Sequence, residues 1–178
     1  FIGSNVCSAL AECGANVIAV DNFLTGGGAS EANLHGIPVE LVREDLRDPN
    51  LEIICQGADF VFNLAAYTSH SGSELEPLLD LSINATAQLR LIQALREAAP
   101  EAVVVHASTR QVYGKPVSLP VDELQIPRPP DANGVSKLAG EHYWMLENRS
   151  RKRPVVSLRL TNCYGPRLRI PDAREAFL

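Results

Sequence analysis

The sequence predicts an α/β fold, a doubly wound parallel sheet, and three observations predict it. Short apolar runs alternate with amphipathic helical runs along the whole chain, the pattern of strands joined by crossover helices. The apolar runs are nearly continuous, as in strands covered on both faces. Each run gives way to a loop at its carboxyl end, where parallel sheets bind their ligands.

The elements follow in order. Residues 4–14, "SNVCSALAECG", read as a helix ending at Gly14, since glycine takes up the left-handed conformation that closes a helix. Residues 16–22, "NVIAVDN", read as a strand with a polar end, and 25–36 as a loop with three consecutive glycines. A strand is expected over 39–46. A short helix is expected over 48–57, with Asp48 as N-cap and Pro49 at the first helical position. Residues 58–66, "ADFVFNLAA", form the next strand, and 78–99 the longest helix, with apolar residues at helical spacing. A strand over 102–108, a proline-rich loop over 126–130, a helix over 133–149 and a strand over 155–160 complete the pattern.

A chain of 178 residues that is 46% apolar can bury one ordinary core, and residues 1–178 are read as one domain. The net charge of −5 and the absence of any basic run longer than "RKR" at 151–153 speak against nucleic-acid binding. No apolar stretch approaches a membrane span. Cys7, Cys13, Cys55 and Cys163 form no C-x-x-C pair and no zinc-like cluster, so no metal is expected. They read as small apolar fillers in a reducing cytoplasm. The chain opens on a helix already under way and ends on "DAREAFL" without a stop signal. A fragment of a longer protein is therefore expected, lacking the first strand and a C-terminal substrate region, and unstable when expressed alone.

Five strand tips are candidates for one binding rim: Asp21-Asn22, Asp45, Leu64-Ala65-Ala66, Ser108-Thr109 and Thr161-Asn162. Asp21 is the sharpest nucleotide signal. A carboxylate at the end of the second strand accepts hydrogen bonds from an adenosine ribose and repels a 2′-phosphate, favouring NAD over NADP. Alone, Asp21 reads first as a turn residue. Gly3, about 18 residues earlier at a helix start, lies at the distance a βαβ dinucleotide fingerprint requires. Arg167 and Arg169, just past the last strand, suit a diphosphate or a solvated loop, and both readings stand open.

The segments "FIGSNV", "VDNFLTG", "DLRD", "FNLAA", "INATAQL", "STRQVYG", "NGVSKLAGE" and "LRLTNCYGPR" occur in that order. Together they resemble the extended short-chain dehydrogenase/reductase family, in particular its NAD-dependent nucleotide-sugar epimerases and dehydratases, over essentially the whole chain. The resemblance implies a Rossmann-type sheet, an NAD cofactor and a nucleotide-sugar substrate. It implies that Phe1, Ile2 and Gly3 close a phosphate loop, that Asp21 and Asn22 hold the adenosine ribose, and that Asp45 and Leu46 flank the adenine. By the same resemblance Leu64, Ala65 and Ala66 line the path to the nicotinamide, and Asn84 supports the helix behind it. Thr109 matches the catalytic Ser/Thr, Lys137 the catalytic lysine, and Asn162 a residue touching the sugar nucleotide. A homodimer through helices 78–99 and 133–149 is also implied.

Two departures matter. The family's catalytic tyrosine falls at Asn133, and a neutral amide has no proton to exchange near neutral pH. General acid–base catalysis is worth roughly 10²–10⁴-fold. Three explanations are open: another group such as Tyr113 or His70 takes the proton, although His70 reads first as a solvated loop residue; Thr109 and a water relay it; or the protein is a weak catalyst that binds NAD in a regulatory role. Second, sugar 4,6-dehydratases of the family carry Thr-Asp-Glu where this chain has Thr109-Arg110-Gln111. Arg110 and Gln111 cannot act as that acid and base. The expected function is therefore an NAD-dependent nucleotide-sugar epimerase, with a sugar-nucleotide oxidoreductase or an unusual dehydratase as the alternative enzymes.

Overall fold

The computed structural model describes residues 1–24 and 28–168. Arg169, and residues 25–27 of the triple-glycine loop, lie outside the described residues. The chain divides into two compact units: residues 1–45 with the segment from Asn162 onward, and residues 46–161.

In the first unit, α1 (Ile2–Glu12) leads to β1 (Ile18–Val20). Gly14 closes the helix at φ +82°, the left-handed region expected of a glycine past a helix end. A 3-10 turn over Glu31–Leu34 interrupts the stretch expected to be loop. β2 (Glu40–Val42) then pairs parallel with β1, Ile18 opposite Glu40 and Val20 opposite Val42. Both strands are shorter than expected.

The second unit opens with α2 (Leu51–Cys55). This helix begins two residues later than expected. Asn50, not Asp48, stands at its N-terminus, and no side chain caps it. β3 (Phe60–Asn63), β4 (Val103–Thr109) and β5 (Val155–Leu160) form a parallel sheet in the order β3-β4-β5.

The long helix expected over 78–99 is broken into three parts. These are α4 (Pro77–Leu81), a π turn (Ser82–Thr86) and α5 (Ala87–Ala98); α3 (His70–Leu75) precedes them. The π turn has a local cause. Asn84 accepts from the backbone N–H of Tyr67 at 2.9 Å and donates to its carbonyl at 3.1 Å, and π turns arise where a side chain is drawn out of the helical ladder to bond elsewhere.

α6 (Ala132–Arg151) is capped by Asp131, whose carboxylate accepts from the N–H of Gly134 at 2.8 Å. Gly140 on α6 faces the π turn so closely that a Cβ there would collide with the carbonyl of Asn84.

The core gathers Leu51, Cys55, Leu91, Ile92, Leu95, Val104 and Trp144 between α2, α5, α6 and one face of the three-stranded sheet. On the other face, Phe60, Phe62, Val156 and Leu158 stand exposed. Of the four thiols only Cys55 joins the core; Cys13 and Cys163 are exposed rather than fillers.

Candidate active site

In the first unit, Asp21 and Asn22 follow β1 directly and are exposed. One Asp21 oxygen accepts from the N–H of Phe23 at 2.8 Å; the other takes no hydrogen bond among the described residues. Asn22 donates to Asp45 Oδ2 at 2.7 Å and accepts from Leu24 N–H at 3.0 Å. Asp21, Asn22 and Asp45 therefore form one polar cluster at the ends of β1 and β2.

Phe1 precedes α1, and no side chain caps the first turn that Ile2 and Gly3 open. Its N–H groups are left for another acceptor. Arg167 turns inward: it donates to Asn5 Oδ1 at 2.9 Å, and its carbonyl accepts from Asn33 at 3.2 Å. Asn162 is exposed, two residues past β5.

In the second unit, Leu64, Ala65 and Ala66 leave β3 as an open strand tip, with both alanines exposed. Leu46 packs against the core cluster of this unit. Thr109 ends β4, and its Oγ1 accepts from the N–H of Gln111 at 3.3 Å. A hydroxyl that accepts there has its own proton left to donate outward.

Tyr113 closes a 3-10 turn over Arg110–Tyr113. Its ring lies beneath the guanidinium of Arg159, 4.5 Å from the ring centroid. Arg159 is held in turn by Glu141 of α6 at 2.6 Å. Burial alone would raise the Glu141 carboxyl, but the bonds from Arg159 and Ser108 outweigh it and hold the group below its ordinary value.

Asn133 does not face open space. It is 1% exposed. Its amide nitrogen donates to Asp80 Oδ1 at 2.6 Å and to the carbonyl of Tyr67 at 2.8 Å. Both amide hydrogens are thus committed. Asp80 is itself fully buried; its Oδ1 also accepts from Asn84 at 3.0 Å, while Oδ2 has no partner.

Lys137 follows Asn133 by four residues, one helical turn along α6. It makes no hydrogen bond among the described residues. Burial pulls its ammonium below the ordinary lysine value, and the charges of Asp80 and Asp131 act against that pull. An ammonium so placed is a donor without an acceptor among the described residues.

His70, which the sequence offers as a proton acceptor but reads first as a solvated loop residue, meets Asp131 and Gln111. Ser69 caps α3, accepting from Gly72 N–H at 3.0 Å, and so sets His70 at the first helical position rather than in a loop. His70 Nδ1 lies 3.2 Å from Asp131 Oδ2 and 2.8 Å from Gln111 Nε2. Gln111 Nε2 also donates to Asp131 Oδ2 at 2.7 Å. The legible signal was Asp131, a helix-capping residue two positions before Asn133. Asp80 was also readable, four residues before Asn84 in one helical run. Among the described residues no group of three or more His, Cys, Asp or Glu could hold a metal, and no helix is long and apolar enough to cross a membrane.

The residues present fit NAD. In the first unit Asp21 keeps a carboxylate oxygen without a hydrogen bond among the described residues and the first turn of α1 keeps N–H donors, groups of the kind a dinucleotide takes. Comparison with known proteins agrees. The chain is 31% identical to the UDP-glucose 4-epimerase of Mycolicibacterium smegmatis over 94% of its own length and 54% of that protein's. Its structure is similar to that of a UDP-N-acetylglucosamine 4-epimerase from Methanobrevibacter ruminantium in complex with UDP-N-acetylmuramic acid. The TM-score is 0.90 at 31% identity, covering 99% of this chain and 56% of that one. It is similar also to the Thermus thermophilus UDP-glucose 4-epimerase in complex with NAD, with a TM-score of 0.85 at 34% identity over 94% and 54% of the two chains. The chain thus spans about half the length of the relatives it matches. The model of the NAD dependent epimerase/dehydratase family matches residues 1–177, and the chain belongs to that family.

Proposed function

We propose that the whole protein is an NAD-dependent UDP-sugar 4-epimerase, with residues 1–178 as its NAD-binding domain. The observation that carries this reading is Lys137: a largely buried ammonium without a hydrogen-bond partner, one turn from Asn133 on α6. When bound, NAD supplies a reversible hydride acceptor. Lys137 donates to the nicotinamide ribose. Thr109, its Oγ1 already accepting from Gln111, donates its proton to the sugar hydroxyl that reacts and fixes that oxygen. Asp21 and Asn22 hold the adenosine ribose, with Asp45 beside the adenine. Ala65 and Ala66, small and exposed at the end of β3, leave room for the cofactor. Asn162 contacts the nucleotide sugar.

Several features favour epimerisation over its alternatives. Arg110 is exposed and Gln111 is neutral and engaged with Asp131, so neither supplies the acid–base pair of a 4,6-dehydratase. An epimerase returns its hydride and consumes no NAD, whereas an oxidoreductase consumes it. We further read the protein as a homodimer through α5 and α6, where Leu89, Val135, Tyr143 and Leu146 stay exposed, and as cytoplasmic, given cysteines that form no disulfide.

The test is turnover by the full-length protein on UDP-, GDP-, CDP- and dTDP-sugars, with bound NAD measured alongside. Interconversion of a UDP-hexose and its 4-epimer at constant NAD is expected. NAD binding without turnover of any of them overturns the epimerase reading in favour of a regulatory NAD-binding protein.

A further inference from the structure

We propose that His70, oriented by Asp131 and Gln111, is the catalytic acid–base of this site, in place of a phenol at position 133. The proposal rests on the epimerase reading above.

The other candidates are occupied. Asn133 carries no exchangeable proton, and both of its amide hydrogens go to Asp80 and Tyr67. Tyr113 is covered by Arg159. Lys137 is needed as a donor, and the charges of Asp80 and Asp131 favour its protonated form. His70 differs in each respect. Its side chain is 55% exposed, its Nδ1 is engaged, and its Nε2 has no partner among the described residues. Gln111 links it to Thr109, since the side chain reaches His70 and the backbone N–H reaches Thr109 Oγ1.

Nδ1 faces the Asp131 carboxylate, and this suits a reversible reaction. When Nδ1–H donates to Asp131, Nε2 is an acceptor and can take a proton. The imidazolium so formed keeps Nδ1–H on Asp131 and can give the Nε2 proton back. The Gln111 amide must present its nitrogen here, because it also meets the Asp131 carboxylate.

In the first half of the reaction the proton of the sugar hydroxyl passes to His70 Nε2 as the hydride leaves the same carbon for the nicotinamide. The C–O single bond becomes a ketone, and Asp131 stabilises the imidazolium. In the second half the hydride returns to the opposite face of the ketone and the imidazolium gives its proton back to the oxygen. Nothing is consumed.

The experiment uses the full-length protein with bound NAD. His70→Gln is expected to lower kcat by about 100-fold or more, with KM and NAD content unchanged, and added imidazole restores part of the rate. Asp131→Asn keeps the cap on α6, since its remaining oxygen still accepts from Gly134. It should lower kcat by a smaller factor, and imidazole should not restore it. A His70→Gln protein within twofold of the parent overturns the proposal while leaving the epimerase reading intact. So does a loss that tracks an equal loss of bound NAD. A parent protein that turns over no UDP-sugar sinks both.

Discussion

At the scale of single residues, the site is decided by where two side chains point. Asn133 is turned into the protein, onto Asp80, so a tyrosine at this position has no space to enter. Asn133→Tyr would bury a phenol where an amide fits and remove a donor from Asp80. A loss of about 1–3 kcal/mol is expected, read as a lower denaturant midpoint in the intact protein, with no gain in turnover. A large gain in turnover would mean that position 133 is a lapsed catalytic site rather than an adapted one.

His106 offers a second test. Burial beneath α6 lowers its pKa to about 4, with Glu141 pulling it up and Lys137 pushing it down more weakly. Above about pH 6.5 the ring is neutral whether folded or unfolded. Between 6.5 and 4 the unfolded chain binds a proton that the folded one refuses, so stability falls as the pH falls, by at most about 1.4 kcal/mol per unit. Denaturant unfolding at pH 7 and pH 5 measures this slope, and His106→Gln should flatten it.

At the scale of elements, two close fits hold α6 in place. The first is Gly140 against the carbonyl of Asn84. Gly140→Ala would raise helix propensity yet force α6 away from the π turn. A net cost of about 1–3 kcal/mol is expected, measurable as a shift in thermal midpoint; a stabilised variant would mean the two elements can separate freely.

The second is Arg153, 3% exposed. It donates to the carbonyls of Leu95, Ala99 and Ala102 at 2.9–3.1 Å and lies 3.6 Å from Glu147. It adds a second donor to the carbonyls of Leu95 and Ala99, which already accept from Ala99 and Ala102 N–H, and so ties the end of α5 to the start of β4. Arg153→Met should cost about 3–5 kcal/mol, because Glu147 and three carbonyls lose a buried partner. The charge of Arg96 on Glu147 places the cost toward the lower end. A loss under about 1 kcal/mol would show that water replaces the guanidinium.

At the scale of the whole molecule, cofactor binding is the measurable property. Asp21→Ala in the full-length protein should weaken NAD binding by roughly tenfold, the worth of one or two hydrogen bonds to a carboxylate, as read by calorimetric titration. Unchanged affinity would remove Asp21 from the site.

The alternation of strand and helix was legible because it follows from residue type and spacing alone, and so were Asp21 after β1, Thr109 at the end of β4 and Lys137 on α6. Strand order within the parallel sheet also agrees with crossover connections. The break in the long helix was not legible. Its apolar spacing over 78–99 is unbroken, and the cause is Asn84 bonding to Tyr67, 17 residues away. The start of α2 was misread because Asp48-Pro49 is a sound local start signal that the structure does not use. Sequence by itself determined the fold class, the family and where Asp21, Thr109 and Lys137 fall along the elements, since these depend on local pattern and chain order. Only the tertiary structure decided that Asn133 turns onto Asp80 and that His70, Gln111 and Asp131 meet. Those three lie on separate elements up to 61 positions apart, and a hydrogen bond between distant side chains leaves no periodic trace along the chain.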